Sequence, residues 1–548
     1  MGRLSKRVIN QVKKTESKKK RQTMKKNSFK TRLLSFAAFC GLTLALVSCA
    51  NEDVAQGTTG TETENDKNLT TFVAGGETKT RTSMDYTSGN FYWEAGDYIY
   101  VKDDDGTWQK SSNAPTSKVA GFQFKVPGKF KNSTSYTVCY PGKNSINNEQ
   151  VKIPTAQAQT APNSTAHFGV SGDCGTATAG KISNGSFAFS LDHQAAYLVF
   201  QPYTSNTVLK DCYLTKIEVS ADNDIAATYK LDPATGELKN ATSTGKQIIL
   251  TTKDPIASST YGKGFPLNTT SANPTTNGAY MIIKPGTYKL RVRYWIKDYV
   301  TNVEGTITKN LGSFTYDKNT YYDMTADLNI RSYDGNHYYM WDAQKQYWDG
   351  WEWTKNLPGG QPSVAFASSG NYPKNNTDQR WYHQGTAPLS ASTPLFQSLP
   401  NANELSWYVM YGDMRYDTNE LWTTMGRLYK GGAWFKKKSV LTAEGHYSTE
   451  KSADGTTDLR ITWRNYNNTN VSMVLPSVSD ADKYFYVAGL GYYGYGVLYD
   501  IGQRGRYWSS TAVPGSNNHA YAFYFVYDDI RVEGYNYRFD GQVAQPIE

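Results

Sequence analysis

Catalysis or metal binding would need acids, bases, nucleophiles or ligands at workable spacings, and the candidates in this chain are few. His167, His193, His337, His383, His446 and His519 are scattered through the 548 residues. No two stand at metal-ligand spacing, and none has a Ser or Cys partner recognisable from the chain. Of the five cysteines, Cys40 and Cys49 fall in a leader, leaving Cys139, Cys174 and Cys212, which allow at most one disulfide and form no CxxC pair. Gly489-Leu-Gly491-Tyr-Tyr-Gly494 matches a dinucleotide fingerprint by letters. Tyr495-Gly496-Val-Leu-Tyr-Asp500 follows it with no helix, and no acid stands about 20 residues on in a βαβ setting, so a β-loop is expected. Asp103-Asp104-Asp105-Gly106 lacks the later ligands of a calcium loop and reads as a charged hairpin turn. No catalytic residue, metal site or cofactor is expected, and the chain does not read as an enzyme.

One cysteine does carry a chemistry. Cys49 follows an apolar run from Leu33 to Val47, itself preceded by Lys25, Lys26, Lys30 and Arg32. That run has signal-peptide length and is short for a bilayer core of roughly 30 Å. Leu46-Val47-Ser48-Cys49 resembles a bacterial lipobox, which implies that the Cys49 thiol becomes the acylated (palmitate-bearing) first residue of a lipoprotein. Asn51-Glu52-Asp53 resembles the acidic export tag of surface lipoproteins in Bacteroides-type bacteria. Residues 1–48 are therefore expected to be a signal peptide, with Met24 as its true start.

The leader also distorts the charge. The formal net charge is +9, but residues 1–49 hold 13 of the 58 basic residues and one of the 49 acidic ones. The remainder carries 45 basic and 48 acidic residues, a net of −3, so no electrostatic footprint for nucleic acid is left. Residues 50–68 are small, polar and acidic, and with Cys49 they make a tether of 49–68. From Leu69 to about Ile330 short strands alternate with Gly, Asn, Asp and Pro clusters. Tyr288-Lys-Leu-Arg-Val-Arg-Tyr294 shows the polar/apolar alternation of a half-buried strand. The pattern predicts antiparallel sandwiches, not βαβ units.

The composition shifts near Arg331. Ten of the thirteen Trp follow it, with Trp341, Trp348, Trp351 and Trp353 close together. Those four read as aromatic packing in preference to a glycan-stacking platform. The clearest helix runs from Pro400 to Met410: Asn401 and Glu404 have capping-box spacing, and Leu405, Tyr408 and Val409 share a face. Between Asn517 and Asp540, polar and aromatic residues alternate. Tyr527, Arg531, Tyr535 and Tyr537 offer large contact area at low entropic cost, as in a paratope, and are the candidate ligand-binding residues.

Two resemblances cover nearly the whole chain after the leader. Residues 69–330 resemble the fimbrillin (type V pilin, Mfa-like) family of Bacteroides-type bacteria. The likeness rests on Leu69-Thr-Thr-Phe-Val-Ala, Lys79-Thr-Arg81-Thr82, Phe91-Tyr-Trp-Glu-Ala-Gly96-Asp97, Thr137-Val-Cys-Tyr140-Pro141, Val151-Lys-Ile153-Pro154 and Ser190-Leu191-Asp-His193-Gln-Ala195. Residues 331–548 resemble the FISUMP-type, C-type-lectin-like domains, through Gly505-Arg-Tyr507-Trp508-Ser509-Ser510-Thr511, Ala520-Tyr-Ala-Phe-Tyr-Phe525, Arg538, Gly541 and Pro546-Ile547. Gln545 stands where that family usually has the Arg of an Arg-Pro. No Glu-Pro-Asn or Gln-Pro-Asp calcium set is complete, and the cysteines of the related formylglycine-generating enzymes are missing from 331–548.

These resemblances imply a mainly β chain: two tandem transthyretin-like β-sandwiches, 69–185 and 186–330, then an α+β C-type-lectin-like domain, 331–548. They imply a surface-exported, outer-membrane lipoprotein precursor of a type V pilus, a tip or accessory subunit displaying an adhesin domain, released in part into the fimbrium. Its partners would be other pilus subunits by donor-strand exchange, plus a glycan or protein on a host or bacterial surface. Maturation would cut after Arg81, making Thr82 the new N-terminus. The alternative is a permanently lipidated surface protein that never polymerises, serving as a pilus anchor or in glycan capture.

Overall fold

The computed structural model describes residues 23–28, 68–75, 83–86, 91–352, 368–385 and 389–548; Cys49, Arg81, Thr82 and Trp353 lie outside the described residues. The chain is mainly β, 43% strand and 7% helical. It divides into two compact units: Met1–Ser205, Leu209–Tyr294 and Leu311–Leu328, and Asn206–Val208, Trp295–Asn310 and Asn329–Glu548.

The first unit includes β1 (Thr23–Ser28), β2 (Leu69–Ala74), β3 (Phe122–Pro127), β4 (Phe187–Phe189), β5 (Ala196–Tyr203) and β6 (Thr320–Asp327). One eight-stranded sheet draws all its strands from residues 69–193. β2 lies inside that sheet, antiparallel to β3 with Leu69 opposite Pro127, and parallel to β4 with Phe72 opposite Phe187. Alternation along β2 buries Phe72 and Ala74 completely. The Phe72 ring stacks on Phe187 at 5.2 Å and meets Phe130 edge-on at 5.0 Å, within a core that also holds Trp93, Phe124 and Tyr140.

In a second sheet, β6 runs parallel to β5, Ala196 opposite Thr320, and antiparallel to β1, Thr23 opposite Thr325. Part of the expected leader thus forms a sheet edge. Residues 150–158, expected to serve the first sandwich, pair with later strands: Val151 opposite Tyr229 and Ala156 opposite Ile249. Local alternation specifies a strand but not its partner. Tyr288, Leu290, Val292 and Tyr294 are buried as their alternation requires, but Arg291 and Arg293 between them are covered too.

The second unit includes α1 (Ala402–Tyr411), β7 (Arg415–Thr424), β8 (Arg427–Lys436), β9 (Gly505–Ala512), β10 (His519–Val526) and β11 (Asp529–Tyr537). α1 starts at the expected capping box: Asn401 accepts from the Glu404 amide at 3.0 Å, and the Glu404 carboxylate accepts from the Asn401 amide at 2.9 Å. Leu405, Tyr408 and Val409 are buried in the core with Trp422, Phe435, Phe523 and Phe525. β7 and β8 form a hairpin, and β9, β10 and β11 are successive neighbours in a six-stranded sheet. Trp341 and Trp348 are fully buried, so neither can stack on an external sugar.

Candidate ligand-binding face

The β9–β10–β11 sheet separates its side chains by parity. One face carries Tyr507, Phe523 and Val532, cross-strand neighbours that are buried in the core. Close packing there depends on Gly505, since a Cβ at that position would lie 2.1 Å from the Phe525 ring. The other face carries a second row, Arg506 opposite Tyr524 and Tyr524 opposite Arg531.

Three guanidiniums surround the Tyr524 ring, Arg504 at 5.1 Å, Arg531 at 5.5 Å and Arg506 at 5.6 Å from its centroid. Arg506 also covers Tyr492 at 4.3 Å. Burial raises the Tyr524 hydroxyl above its ordinary pKa, although all three arginines pull it down. Arg504 pairs with Asp500 at 3.1 Å, and Arg531 with Asp529 at 2.5 Å and Glu533 at 3.6 Å. Asp540, beside Arg506, has its carboxyl pushed up to about 7 by burial, with Arg506 pulling the other way.

A cavity of about 490 Å³ opens beside Tyr524, lined by Tyr416, Lys430, Met473, Arg504, Val526 and Tyr527 among others. That volume falls in the range of small-molecule sites, and the lining combines an aromatic wall with two cations, Lys430 and Arg504, and one acid, Asp500. The Tyr416 hydroxyl is occupied, donating to the Gln503 carbonyl at 2.8 Å, which fixes the loop carrying Arg504.

The expected ligand residues do not make one patch. Tyr527, Tyr535 and Tyr537 are exposed, at 58, 62 and 45%. Tyr527 lines the cavity and Arg531 flanks Tyr524. Tyr535 packs against Trp463 at 5.6 Å, and Tyr537 lies against Phe539 at 4.9 Å and His519 at 4.7 Å. Tyr527 sits in the hairpin turn before β11, and the extended chain from 529 to 535 puts roughly 20 Å between that turn and Tyr535. Arg504, Arg506, Tyr492 and Lys430 escaped the sequence reading. Parity around the Gly505–Trp508 motif marks Arg506 as outward, but nothing local pairs it with Tyr492 or Tyr524.

His383 Nδ1 lies 2.8 Å from Asp342 Oδ2 and 3.4 Å from Ser392 Oγ. The Ser392 hydroxyl donates to that same carboxylate at 2.8 Å. A serine nucleophile needs the ring nitrogen opposite the acid, so this is not hydrolase geometry. Asp342 instead accepts from the Ser392 and Thr393 amides at 2.7 and 2.9 Å, anchoring the residues before the short helix Pro394–Gln397.

No family model matches the chain, and no curated protein matches it. Among solved structures, it is similar to a protein of Bacteroides ovatus ATCC 8483 provisionally named a cell adhesion protein (12% identity, 47% of this chain and 93% of that one, TM-score 0.29). It is also similar to the fimbrial anchor protein Mfa2 from Porphyromonas gingivalis (10% identity, 45% and 82%, TM-score 0.21). A fimbrial protein from Bacteroides ovatus ATCC 8483 is similar over 87% of this chain and 98% of that one, at 10% identity and TM-score 0.23. Likeness at these scores carries no argument, and the functional reading rests on the residues of this chain.

Proposed function

We propose that this chain is the precursor of a surface lipoprotein of a type V pilus, a tip or accessory subunit whose C-terminal residues 331–548 form an adhesin domain. The observation that carries this reading is the position of β2. It is the first strand after the tether, it is held on both sides by β3 and β4, and it buries Phe72 completely. In sequence, Gly75 to Arg81 separates it from the strands that follow.

Cleavage after Arg81 would free β2 and leave two unpaired edges around an apolar slot. A strand from a neighbouring subunit would restore both ladders, which is the energetics of strand addition. The protein would travel to the outer membrane on lipidated Cys49 and pass into the fimbrium once cut. No catalysis is assigned to it. Adhesion would use Tyr527, in the turn before β11, together with Arg531, Tyr535 and Tyr537 along it.

N-terminal sequencing of the protein recovered from assembled pili tests this reading. A mature chain beginning at Thr82 supports it, and a chain still beginning at Cys49 overturns it.

A further inference from the structure

We infer that the cavity beside Tyr524 binds an anionic saccharide, its carboxylate or sulfate held by Arg504 and Lys430 on the lining and by Arg506 on the flank of Tyr524, and its ring laid against Tyr524 and Tyr527. The inference rests on reading residues 331–548 as an adhesin domain, and it names the ligand class that reading leaves open.

Charge is the first argument. Lys430 and Arg504 line the cavity, and Arg506 and Arg531 flank Tyr524, which forms part of its wall. Asp500 engages Arg504, and Asp529 and Glu533 engage Arg531. Among the described residues, neither Lys430 nor Arg506 has a carboxylate within 4.0 Å, Asp540 acting on Arg506 from farther away, and the buried Nε atoms of Arg504 and Arg506 have no hydrogen-bond partner. Stacking on Tyr492 and Tyr524 holds the Arg506 fork in place before a ligand arrives, and a planar guanidinium suits bidentate contact with carboxylate or sulfate.

Shape is the second. The cavity volume of about 490 Å³ takes one or two sugar rings, and exposed Tyr527 and half-buried Tyr524 supply flat apolar surface for a ring face. An extended acidic peptide fits less well. β10 is paired on both sides, by β9 and β11, so the site presents no open ladder for a peptide backbone. Nucleic acid is disfavoured by the net −3 of the chain after the leader.

The test is calorimetric titration of the purified full chain with 3′-sialyllactose, 6′-sulfolactose, lactose and a hexaglutamate peptide, at low and high salt. At least one charged sugar binds, at least tenfold tighter than lactose or the peptide, and its binding weakens with salt; which of the two wins identifies carboxylate or sulfate. Arg506→Gln and, on the exposed rim, Lys430→Ala each weaken that binding at least fivefold with an unchanged Tm. Failure of both charged sugars to bind overturns the inference. So does equal binding of lactose or of the peptide, or wild-type affinity in a folded Lys430→Ala variant. Those outcomes leave the pilus reading standing, since it is decided by the mature N-terminus and the protein's position on the fibre.

Discussion

Arg506 and Tyr524 stand directly opposite each other on β9 and β10, with the guanidinium 5.6 Å from the ring centroid on the face turned away from the core. Their inward neighbours, Tyr507 and Phe523, are a buried pair one residue along each strand. One strand pairing thus makes the core on one side and a cation–aromatic surface on the other. Changes at Arg506 should therefore act on recognition, and changes at its neighbours on stability.

That division can be measured with tryptophan and tyrosine variants. Trp508 is buried, and its indole donates to the Tyr339 carbonyl at 2.7 Å. Trp508→Ala should cost roughly 3–5 kcal/mol in chemical denaturation. Tyr535→Ala with Tyr537→Ala, on exposed positions, should change stability by no more than about 1 kcal/mol while reducing cell adhesion. Unfolding of the tyrosine double variant would contradict the exposed-face assignment.

Lipidation depends on one thiol. Cys49→Ala should abolish incorporation of a clickable fatty acid and remove the protein from the cell surface, because no other residue in the motif can form the thioether. Equal label in the variant would contradict the lipobox assignment.

Asp540 gives a pH dependence of known sign. Its carboxyl is raised from 3.8 to about 7 in the fold. Its charge acts on Arg506 and on the hydroxyls of Tyr347 and Tyr372, the latter also neighboured by exposed Tyr495. Its contribution is most favourable below about pH 4, where the folded and unfolded chains are both protonated. It is lost as pH rises to about 7, because the unfolded chain ionises first, by up to roughly 4 kcal/mol. Asp540→Asn should flatten that slope between pH 4 and 7 in urea titrations. An identical slope in the variant would show that Asp540 is not the titrating group.

The leader strand makes a further prediction. β1 pairs with residues 320–325 of β6, and lipidation at Cys49 would remove it. Hydrogen exchange at 320–325 should be faster in a chain beginning at Cys49 than in one retaining residues 1–48. Equal protection would mean that another segment covers this edge.

What the sequence disclosed and what it withheld follow one physical line. The capping box at Asn401 and Glu404, the burial of Tyr288, Leu290, Val292 and Tyr294, and the outward parity of Tyr535 and Tyr537 are set within a few residues, and they were legible. The pairing of Ala156 with Ile249, and the meeting of Tyr492 with Arg506, are settled by register between distant segments. A period-two pattern assigns faces but is blind to which strand lies alongside. The candidate ligand residues are accordingly exposed but do not make one patch, and Arg504, which lines the cavity, and Arg506, which flanks Tyr524, were missed.

The central claim is that this chain is a pilus subunit carrying an adhesin domain, and immunogold labelling of purified pili with an antibody to residues 331–548 tests it most directly. The account predicts gold on the fibres, concentrated at their tips or at accessory positions. Label confined to the outer membrane, with bare fibres, would contradict it and favour a lipidated protein that never enters the pilus.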